Sequence, residues 1–287
     1  MIQPIQIKGI VLIDNNPNPL LNLHSEHGLS IYFEADGFKW LMDVGASNKF
    51  YENAIDLGIA IEDVDFLIIS HGHCDHTGGL EKFLKVNKKA KIYISKHIIG
   101  KQFFSYRTDI KQNITINHSV VEQNIARFTF VDSNLQISKN VNLICQFSNL
   151  FPTPKGNNKL YIVDEQGERN DDFKHEISVT VNTTKGIVVF SGCSHNGVLN
   201  ILETCTKHYK HTTIAACIGG THLLDSGASS NHETEVEILE IGKSITKQYP
   251  LIRLITGHCT GILAQKNFTN IFKENLSLFY SGYSIEL

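Results

Sequence analysis

The stretch SHGHCDHTGG, residues 70–79, places three histidines and an aspartate within six positions. It follows directly on the apolar run of residues 66–69, which is typical of a strand buried on both faces. His71 and His73 stand two residues apart, so both side chains point the same way if the chain stays extended. Asp75 and His76 follow where the next helix is predicted to begin. Imidazole and carboxylate groups are ligands that zinc binds readily and that iron and manganese also accept, and four so close together favour two neighbouring metal ions over one tetrahedral ion.

Three later segments repeat one arrangement, in which a strand ends in glycine and a histidine follows closely. They are VVFSGCSHNG (188–197), ACIGGTHLL (216–224) and LITGHCTG (254–261). Strands that end at the same sheet edge deliver the residues behind them to one place. This pattern predicts His195 and His258 as further metal ligands, and His222 either as a ligand or as a residue that supports the ligands.

Composition restricts the function classes. The chain has 287 residues, 41% of them hydrophobic and 19% charged, with a net charge of −3, which predicts a folded globular chain that we treat as one domain, 1–287. The absence of a basic stripe disfavours nucleic-acid binding, and the lack of a long apolar run disfavours a membrane span. The first 14 residues resemble a strand rather than a signal peptide, and the six cysteines contain no CxxC pair. We therefore expect a cytoplasmic protein with reduced thiols that acts on a small molecule.

Periodicity predicts a mixture of strands and helices. Residues 29–45 read as a hairpin that turns at Asp36–Gly37, and residues 47–59 as a helix with Ser47 as its N-cap. Further strands are predicted at 64–70, 90–95, 213–220 and 251–257, the last as the final core strand, and a second hairpin at 175–192 with Ile177, Val179 and Val181 facing inward. Further helices are predicted at 77–87, 196–209 and 231–249, the last with Val236, Leu239 and Ile245 on one side. The middle, residues 100–175, suggests antiparallel strands joined by polar surface connections. Two sheets with helices on their outer faces fit this order.

Several of these motifs resemble a known family. SHGHCDHTGGL (70–80) resembles the signature of the metallo-β-lactamase-fold superfamily, and WLMDVG (40–45) resembles the upstream segment whose aspartate, here Asp43, supports the metal histidines. EHGLS (26–30), SGCSHNG, GGTHL and HCTG resemble a branch of metal-dependent hydrolases related to the archaeal dihydropterin–ribofuranosylaminobenzene phosphate synthase. The resemblance implies an α/β (α+β) fold, a four-layer αββα sandwich with a dinuclear site at one edge of its sheets.

The resemblance also implies a division of ligands. His71, His73 and a third residue would hold the first metal, and Asp75, His76 and His258 the second. The common pattern takes the third ligand from the segment that here reads His175–Glu176, whereas the GCSH motif of the branch favours His195. We take His195, and keep Glu176 as a supporting or substrate-contacting group.

The chain departs from the superfamily at one position. Many members carry an aspartate that bridges both metals where this sequence has Cys193. A thiolate could ligate, because contact with a metal lowers the pKa of a thiol, or Cys193 could be a small buried residue.

The expected chemistry is hydrolysis. Two divalent ions, with zinc expected and manganese or iron as alternatives, would share a bound hydroxide that attacks a small anionic substrate carrying phosphate or carboxylate. Asp75 would ligate and orient the hydroxide, and His222 or His232 would protonate the leaving group. Free N–H groups of residues 194–197, at the start of a helix, are predicted to attract the anion.

Other functions compete with this one. The first alternative is a pterin-pathway synthase that displaces pyrophosphate. A di-iron redox centre is disfavoured because relatives of that kind carry glutamate where this chain has His73, and tRNA processing is disfavoured because no basic patch is visible. A non-enzymatic ligand sensor is the remaining reading.

Overall fold

The computed structural model of this chain describes residues 6–108, 110–210, 212–225 and 232–287. Its strands are β1 (Lys8–Ile13), β2 (Ser30–Ala35), β3 (Phe38–Met42), β4 (Phe66–Ile68), β5 (Lys91–Ser95), β6 (Gln102–Ser105), β7 (Gln112–Asn113), β8 (Phe128–Val131), β9 (Leu135–Gln136), β10 (Val141–Ile144), β11 (Leu160–Asp164), β12 (Gly167–Asn170), β13 (Ser178–Thr183), β14 (Gly186–Phe190), β15 (Ile214–Ile218), β16 (Arg253–Thr256), β17 (Leu276–Leu278) and β18 (Ser284–Glu286). Its helices are α1 (Lys49–Asp56), α2 (Cys74–Thr77), α3 (Leu80–Val86), α4 (His118–Gln123), α5 (Val198–His208), α6 (Glu235–Gln248) and α7 (Ile262–Phe272).

Two large sheets pack face to face. The first has the strand order β18-β1-β2-β3-β4-β5-β8, and the second β17-β16-β15-β14-β13-β10-β9. Apolar side chains from both sheets form one buried cluster between them, and the rings of Phe33 and Phe190 stack across the interface with their centroids 4.2 Å apart. This inter-sheet core holds the two sheets together by burying apolar surface.

Helices cover the outer faces of both sheets. Phe50 of α1 and Phe83 of α3 pack in the cluster on the first sheet, whereas α5, α6 and α7 contribute Leu202, Ile245 and Phe268 to the cluster on the second. The order of layers is therefore helix, sheet, sheet, helix, and the predicted four-layer αββα sandwich is confirmed.

The hairpin turns follow the local sequence. Asp36 and Gly37 have φ values of 54° and 77°, the left-handed pair that a tight two-residue hairpin requires. In the second hairpin Ile177, Val179 and Val181 are fully buried in the inter-sheet core, as their alternation predicted.

Two helix details were predicted wrongly. The first helix begins after Asn48 rather than Ser47. In α6 the side chain of Thr234 caps the backbone N–H of Glu237, so Val236 lies in the exposed first turn, with 63% of its surface accessible, while Ile238 and Ile245 face the core.

The sequence analysis also missed the two strands that follow β16. The strand ending at Thr256 is not the last core strand, because β17 extends the second sheet beside it and β18 returns to pair with β1 in the first.

The middle of the chain is only partly antiparallel. Residues 118–123 form α4, and β8 pairs with β5 in parallel, extending the first sheet. The segments around them form a separate four-stranded sheet, ordered β12-β11-β6-β7 and hereafter called the third sheet. The interpretation of these residues as surface connections missed this layer, whose central pairing, between β6 and β11, joins residues more than fifty positions apart, such as Ser105 and Leu160.

All six cysteines are free. Among the described residues, none of the helices is both long enough and apolar enough to cross a bilayer.

Candidate metal centre

The predicted site residues lie along one edge that both large sheets share. β4 runs parallel to β3 and β5, and the residues after it carry His71 and His73 into α2, which holds Asp75 and His76. In the second sheet β14, β15 and β16 are parallel, so the residues behind them, including His195 and His258, reach the same edge. Parallel neighbours present their carboxyl ends together, which explains why segments so distant in sequence meet.

The first cluster consists of His71, His73 and His195, whose candidate ligand atoms all lie within 4.8 Å of one another. His71 Nε2 is 3.1 Å from His73 Nδ1. His195 Nδ1 donates to Asn157 Oδ1 over 2.9 Å, because the amide group of that asparagine already donates to the His195 carbonyl. The Nε2 atom of His195 therefore carries the lone pair, and it is buried without a hydrogen-bond partner.

The second cluster consists of Asp75, His76, Cys193 and His258. His76 Nε2 lies 3.1 Å from His258 Nε2 and 3.2 Å from Cys193 Sγ, and Asp75 Oδ2 lies 3.5 Å from both Nε2 atoms. The Nδ1 atom of each ring is hydrogen-bonded to an oxygen. His76 Nδ1 lies 2.7 Å from Asp43 Oδ2, and His258 Nδ1 lies 3.0 Å from Asn15 Oδ1.

These contacts decide which nitrogen of each ring donates to an oxygen and which one faces the cluster. Because Nδ1 of His76 and of His258 donates to oxygen, their Nε2 atoms face each other at 3.1 Å. Burial opposes protonation of His258, but Asp75 outweighs it and raises the pKa of this histidine to about 9, so without a metal its Nε2 carries a proton near pH 7. Two facing lone pairs repel unless a proton or a metal ion lies between them, and a bound metal would take the place of that proton. Imidazole, carboxylate and thiol groups form a donor set that suits zinc, so the residues present fit a metal at each cluster.

The charges of the site agree with this fit. Burial and the neighbouring His76 lower the pKa of His71 well below its ordinary value, and burial and His222 do the same for His195. Burial opposes ionisation of Asp75, but His76 and His258 outweigh it and hold its pKa well below the usual range. The histidines of the first cluster are therefore neutral rings and Asp75 is a carboxylate, the forms in which they bind metals.

Asp43 supports one histidine of each cluster. Its backbone has φ 61°, and its fully buried carboxylate accepts Nδ1–H of His76 at 2.7 Å, the backbone N–H of Ser70 at 2.7 Å and the Ser70 hydroxyl at 2.6 Å. Because the Ser70 hydroxyl donates its hydrogen to Asp43, its Oγ atom accepts a hydrogen bond from His71 Nδ1 at 2.9 Å. The placement agrees with the supporting role that the resemblance implied for Asp43.

Glu176 does not face the cleft. Its carboxylate accepts the backbone N–H groups of His195 and Asn196, each at 2.7 Å, and also the Asn196 side chain at 2.7 Å. The prediction that these N–H groups are free to bind a substrate anion is wrong, because a buried carboxylate of the chain already occupies them.

The alternative third ligand, His175, has both ring nitrogens engaged. Its Nδ1 accepts the Gly72 N–H at 3.1 Å, and its Nε2 lies 2.9 Å from Asp171 Oδ2. Of the three residues weighed for this role, His195 is the one whose bare nitrogen reaches the first cluster.

His222 lies beside the first cluster. Its ring centroid is 4.1 Å from that of His195, and Arg107 Nη2 is 3.0 Å from its Nε2. Burial lowers its pKa to about 4, so the ring is neutral near pH 7 and would donate a hydrogen bond rather than act as an imidazolium. His232 is not among the described residues that line the cleft.

A cleft of about 240 Å³ opens onto both clusters. One wall is formed by the two histidine-bearing sheets, and the other by Ser105, Gln112 and Leu160 of the third sheet together with Arg107 just beyond β6. The sequence interpretation missed Arg107, Asn157 and Asn15 as site residues. Only Asn15, next to the end of the first predicted strand, had a local signal, since it follows a strand end as the ligands do.

Comparisons with known proteins agree with this architecture. Residues 26–133 match a family model described as the metallo-beta-lactamase superfamily. A relative from Methanocaldococcus jannaschii named 7,8-dihydropterin-6-methyl-4-(beta-D-ribofuranosyl)-aminobenzene-5'-phosphate synthase is 27% identical over 274 residues, 91% of this chain and 90% of the relative. A crystal structure described as a metal-dependent hydrolase of the beta-lactamase superfamily is 29% identical, with a TM-score of 0.82 over 98% of this chain and 99% of the other. Zinc-bound PqqB from Methylobacterium extorquens shares the fold at 11% identity and a TM-score of 0.57, over 98% of this chain and 100% of that one.

Proposed function

Because this chain belongs to the metallo-β-lactamase superfamily, we propose that it is a metal-dependent hydrolase with two adjoining metal sites and a small anionic substrate. The observation that supports this most is the convergence of candidate ligand atoms. Nitrogens of His71 and His195 that carry lone pairs meet in one cluster, and in the next the Nε2 atoms of His76 and His258 lie 3.1 Å apart beside the Asp75 carboxylate.

The residues that would hold the two ions divide as the clusters do. His71, His73 and His195 would hold the first, and Asp75, His76 and His258 the second, with Cys193 between them as a further candidate ligand because it groups with members of both clusters. Bound there, divalent ions, with zinc as the expected metal, would supply an ionised water as nucleophile and a Lewis acid for the substrate oxygen.

The chain's own groups orient the reactants. Asp75, which lines the cleft, would accept a hydrogen bond from the attacking water and hold it on the side of His76 and His258. His222 would donate a hydrogen bond to an oxygen of the substrate, since it lines the cleft directly beside His195. The rings themselves are kept in place by Asp43, Asn157 and Asn15, so little reorganisation is needed during the reaction.

The cleft supports a small anionic substrate. Its volume of about 240 Å³ is below the usual range for pockets that hold drug-sized molecules. Asp75 is the one carboxylate among the described residues that line it, whereas Arg107 and two metal ions would bring positive charge. A phosphate or carboxylate would therefore be attracted rather than repelled.

A pterin-pathway synthase is the second candidate. It is favoured by the similarity to the Methanocaldococcus jannaschii synthase, which extends over nine-tenths of both chains. The same site would then stabilise a departing pyrophosphate instead of activating water.

Metal analysis and a substrate panel test the proposal. We expect the purified protein to contain about two divalent ions per chain, and to hydrolyse at least one member of a panel of phosphoesters, lactones and thioesters. His71→Ala and His258→Ala should each lose activity, whereas His118→Ala, outside the cleft, should not. A protein that takes up no metal from excess zinc or manganese would refute the proposal.

A second incubation separates the two candidates. The metal-loaded protein is mixed with a dihydropterin pyrophosphate and ribofuranosylaminobenzene phosphate, and the products are followed by mass spectrometry. A coupled product with release of pyrophosphate would identify a synthase, and pterin pyrophosphate hydrolysis without coupling would identify a hydrolase.

A further inference from the structure

A second cavity lies beside the metal cleft, against helix α6. Its volume is about 290 Å³, close to the lower limit of roughly 300 Å³ for sites that bind small molecules. Among the described residues, none lines both spaces. Thr221 and Leu223 line this cavity, whereas His222 between them lines the cleft, so one segment of chain separates the two. The other walls of this space, hereafter called the α6 cavity, come from residues 151–155, 197–199 and 233–244.

Most of the walls are apolar. Val198, Leu199 and Leu223 belong to the buried cluster that joins the helices to the second sheet, and Phe151 and Ile241 pack against it. Water makes few hydrogen bonds to such walls, whereas an apolar body that fills the space is removed from water. The α6 cavity therefore suits an occupant that is largely apolar.

Glu233 places one carboxylate in these walls. It lies just before α6, and only 5% of its surface is exposed. Its Oε1 accepts the backbone N–H of Lys155 at 2.6 Å, which fixes the carboxylate group. Its Oε2 is buried and has no hydrogen-bond partner among the described residues. A buried carboxylate oxygen without a donor is costly, which indicates that a bound molecule supplies the donor.

The charges around the α6 cavity favour a cation in that role. Lys155 Nζ lies 2.6 and 2.7 Å from the two carboxylate oxygens of Glu237, so this lysine is already paired. The start of α5 also lines the cavity, but Glu176 already accepts N–H groups from the residues that precede this helix. Glu233 and Glu240, which both line the cavity, are left without an ion pair to any described residue.

We propose that the α6 cavity is a binding site for a small apolar cation, whose protonated nitrogen group donates to Glu233 Oε2 while its apolar body fills the space between α5 and α6. Charge-assisted hydrogen bonds of this kind are stronger than neutral ones. The site is distinct from the metal cleft in its residues and in the sign of the charge that it attracts. It requires neither metal ions nor the proposed hydrolysis.

Benzamidine is the probe that tests the site. It combines a planar apolar ring with an amidinium group, whose N–H donors match a carboxylate. The binding is followed by NMR on methyl-labelled protein. We expect benzamidine to shift the methyl resonances of Leu199, Leu223 and Ile241 in a saturable manner. Benzamide, which has nearly the same shape without the charge, should bind more weakly, and benzoate should leave these resonances unchanged.

Three variants separate the carboxylate from the cavity and from net charge. Glu233→Gln should weaken benzamidine binding about 10-fold to 100-fold, as for loss of a hydrogen bond to a charged group. Ser244→Phe keeps this carboxylate but places a ring in the α6 cavity, so it should also weaken binding. Glu235→Gln is the matched control, because it removes the same charge two residues away and outside the cavity, and it should bind as the wild type does. Thermal melts establish that each variant is folded.

The outcomes decide the proposal in both directions. Saturable shifts that Glu233→Gln and Ser244→Phe weaken, with Glu235→Gln unchanged, would support it. Cavity resonances that do not respond to benzamidine, or that respond equally to benzoate, would overturn it. Equal weakening by Glu235→Gln would attribute the effect to net charge and would also overturn it. Should Glu233→Gln fail to fold, wild-type affinity in Ser244→Phe would still refute the site.

Discussion

Replacing Asp43 with asparagine is expected to weaken metal binding at both clusters, because one carboxylate supports a histidine in each. Asp43 accepts His76 Nδ1–H at 2.7 Å directly, and it fixes His71 through the Ser70 hydroxyl, with contacts of 2.6 and 2.9 Å. Three donors converge on its two oxygens, and an amide would replace one of these oxygens with a fourth donor. Asparagine tolerates the backbone φ of 61° at this position, so the substitution changes the chemistry and leaves the backbone unstrained.

The size of the effect follows from the lost contacts. Loss of the carboxylate partner of a metal-binding histidine costs about 10-fold to 100-fold in affinity. We expect that range at the second cluster, which Asp43 contacts directly, and a smaller loss at the first, which it reaches through Ser70. One buried donor left without an acceptor also lowers the free energy of unfolding by about 1–3 kcal/mol.

Zinc competition against a chromophoric chelator measures both affinities in one titration. Ser70→Ala is the matched control, because it removes the acceptor of His71 while the 2.7 Å contact between Asp43 and His76 stays. Ser70→Ala should therefore weaken the first site alone. Two zinc equivalents bound to Asp43→Asn with wild-type affinity, or equal losses at both sites in Ser70→Ala, would refute the reasoning.

Three further predictions concern the same edge of the sheets. Cobalt-substituted protein should show a thiolate-to-metal absorption band that disappears in Cys193→Ser, because Cys193 Sγ lies 3.2 Å from His76 Nε2; a spectrum without the band in the wild type would make this thiol a packing residue. Glu176→Gln should lower the free energy of unfolding by about 1–3 kcal/mol in urea titrations, since an amide cannot accept from both His195 and Asn196 N–H groups, and an unchanged midpoint would contradict this. Zinc at about 100 times its dissociation constant should stabilise the metal-free protein by about 2.7 kcal/mol per site, seen as a higher melting temperature that chelator reverses; an unaffected melting curve would count against binding to the folded state.

The clustering of the proposed ligands could be predicted because its signals are local. His71, His73, Asp75 and His76 follow one short buried strand, and the position of His258 follows from the rule that parallel strands end at one edge. The order of predicted elements already fitted two sheets with helices on their outer faces, and the family resemblance implied the same four layers.

The supporting residues could not be predicted for a physical reason. Asn157 reaches His195 from a polar stretch 38 positions away, and Arg107 reaches His222 across 115 positions, so neither contact has a trace in the neighbouring sequence. The prediction for the start of α5 failed similarly. Local reasoning recognised N–H groups that need an acceptor, but only the tertiary structure shows that Glu176 provides it.

The distribution of the proposed metal ligands over the chain has a consequence for biosynthesis. His76 and His258, whose Nε2 atoms touch in the folded protein, are 182 residues apart. At a ribosomal rate of about 5–20 residues per second, the first four ligands would emerge roughly 10–40 seconds before their partner does. The nascent chain would thus display an unfinished metal-chelating motif for that interval, and complete loading must await release of its final segments.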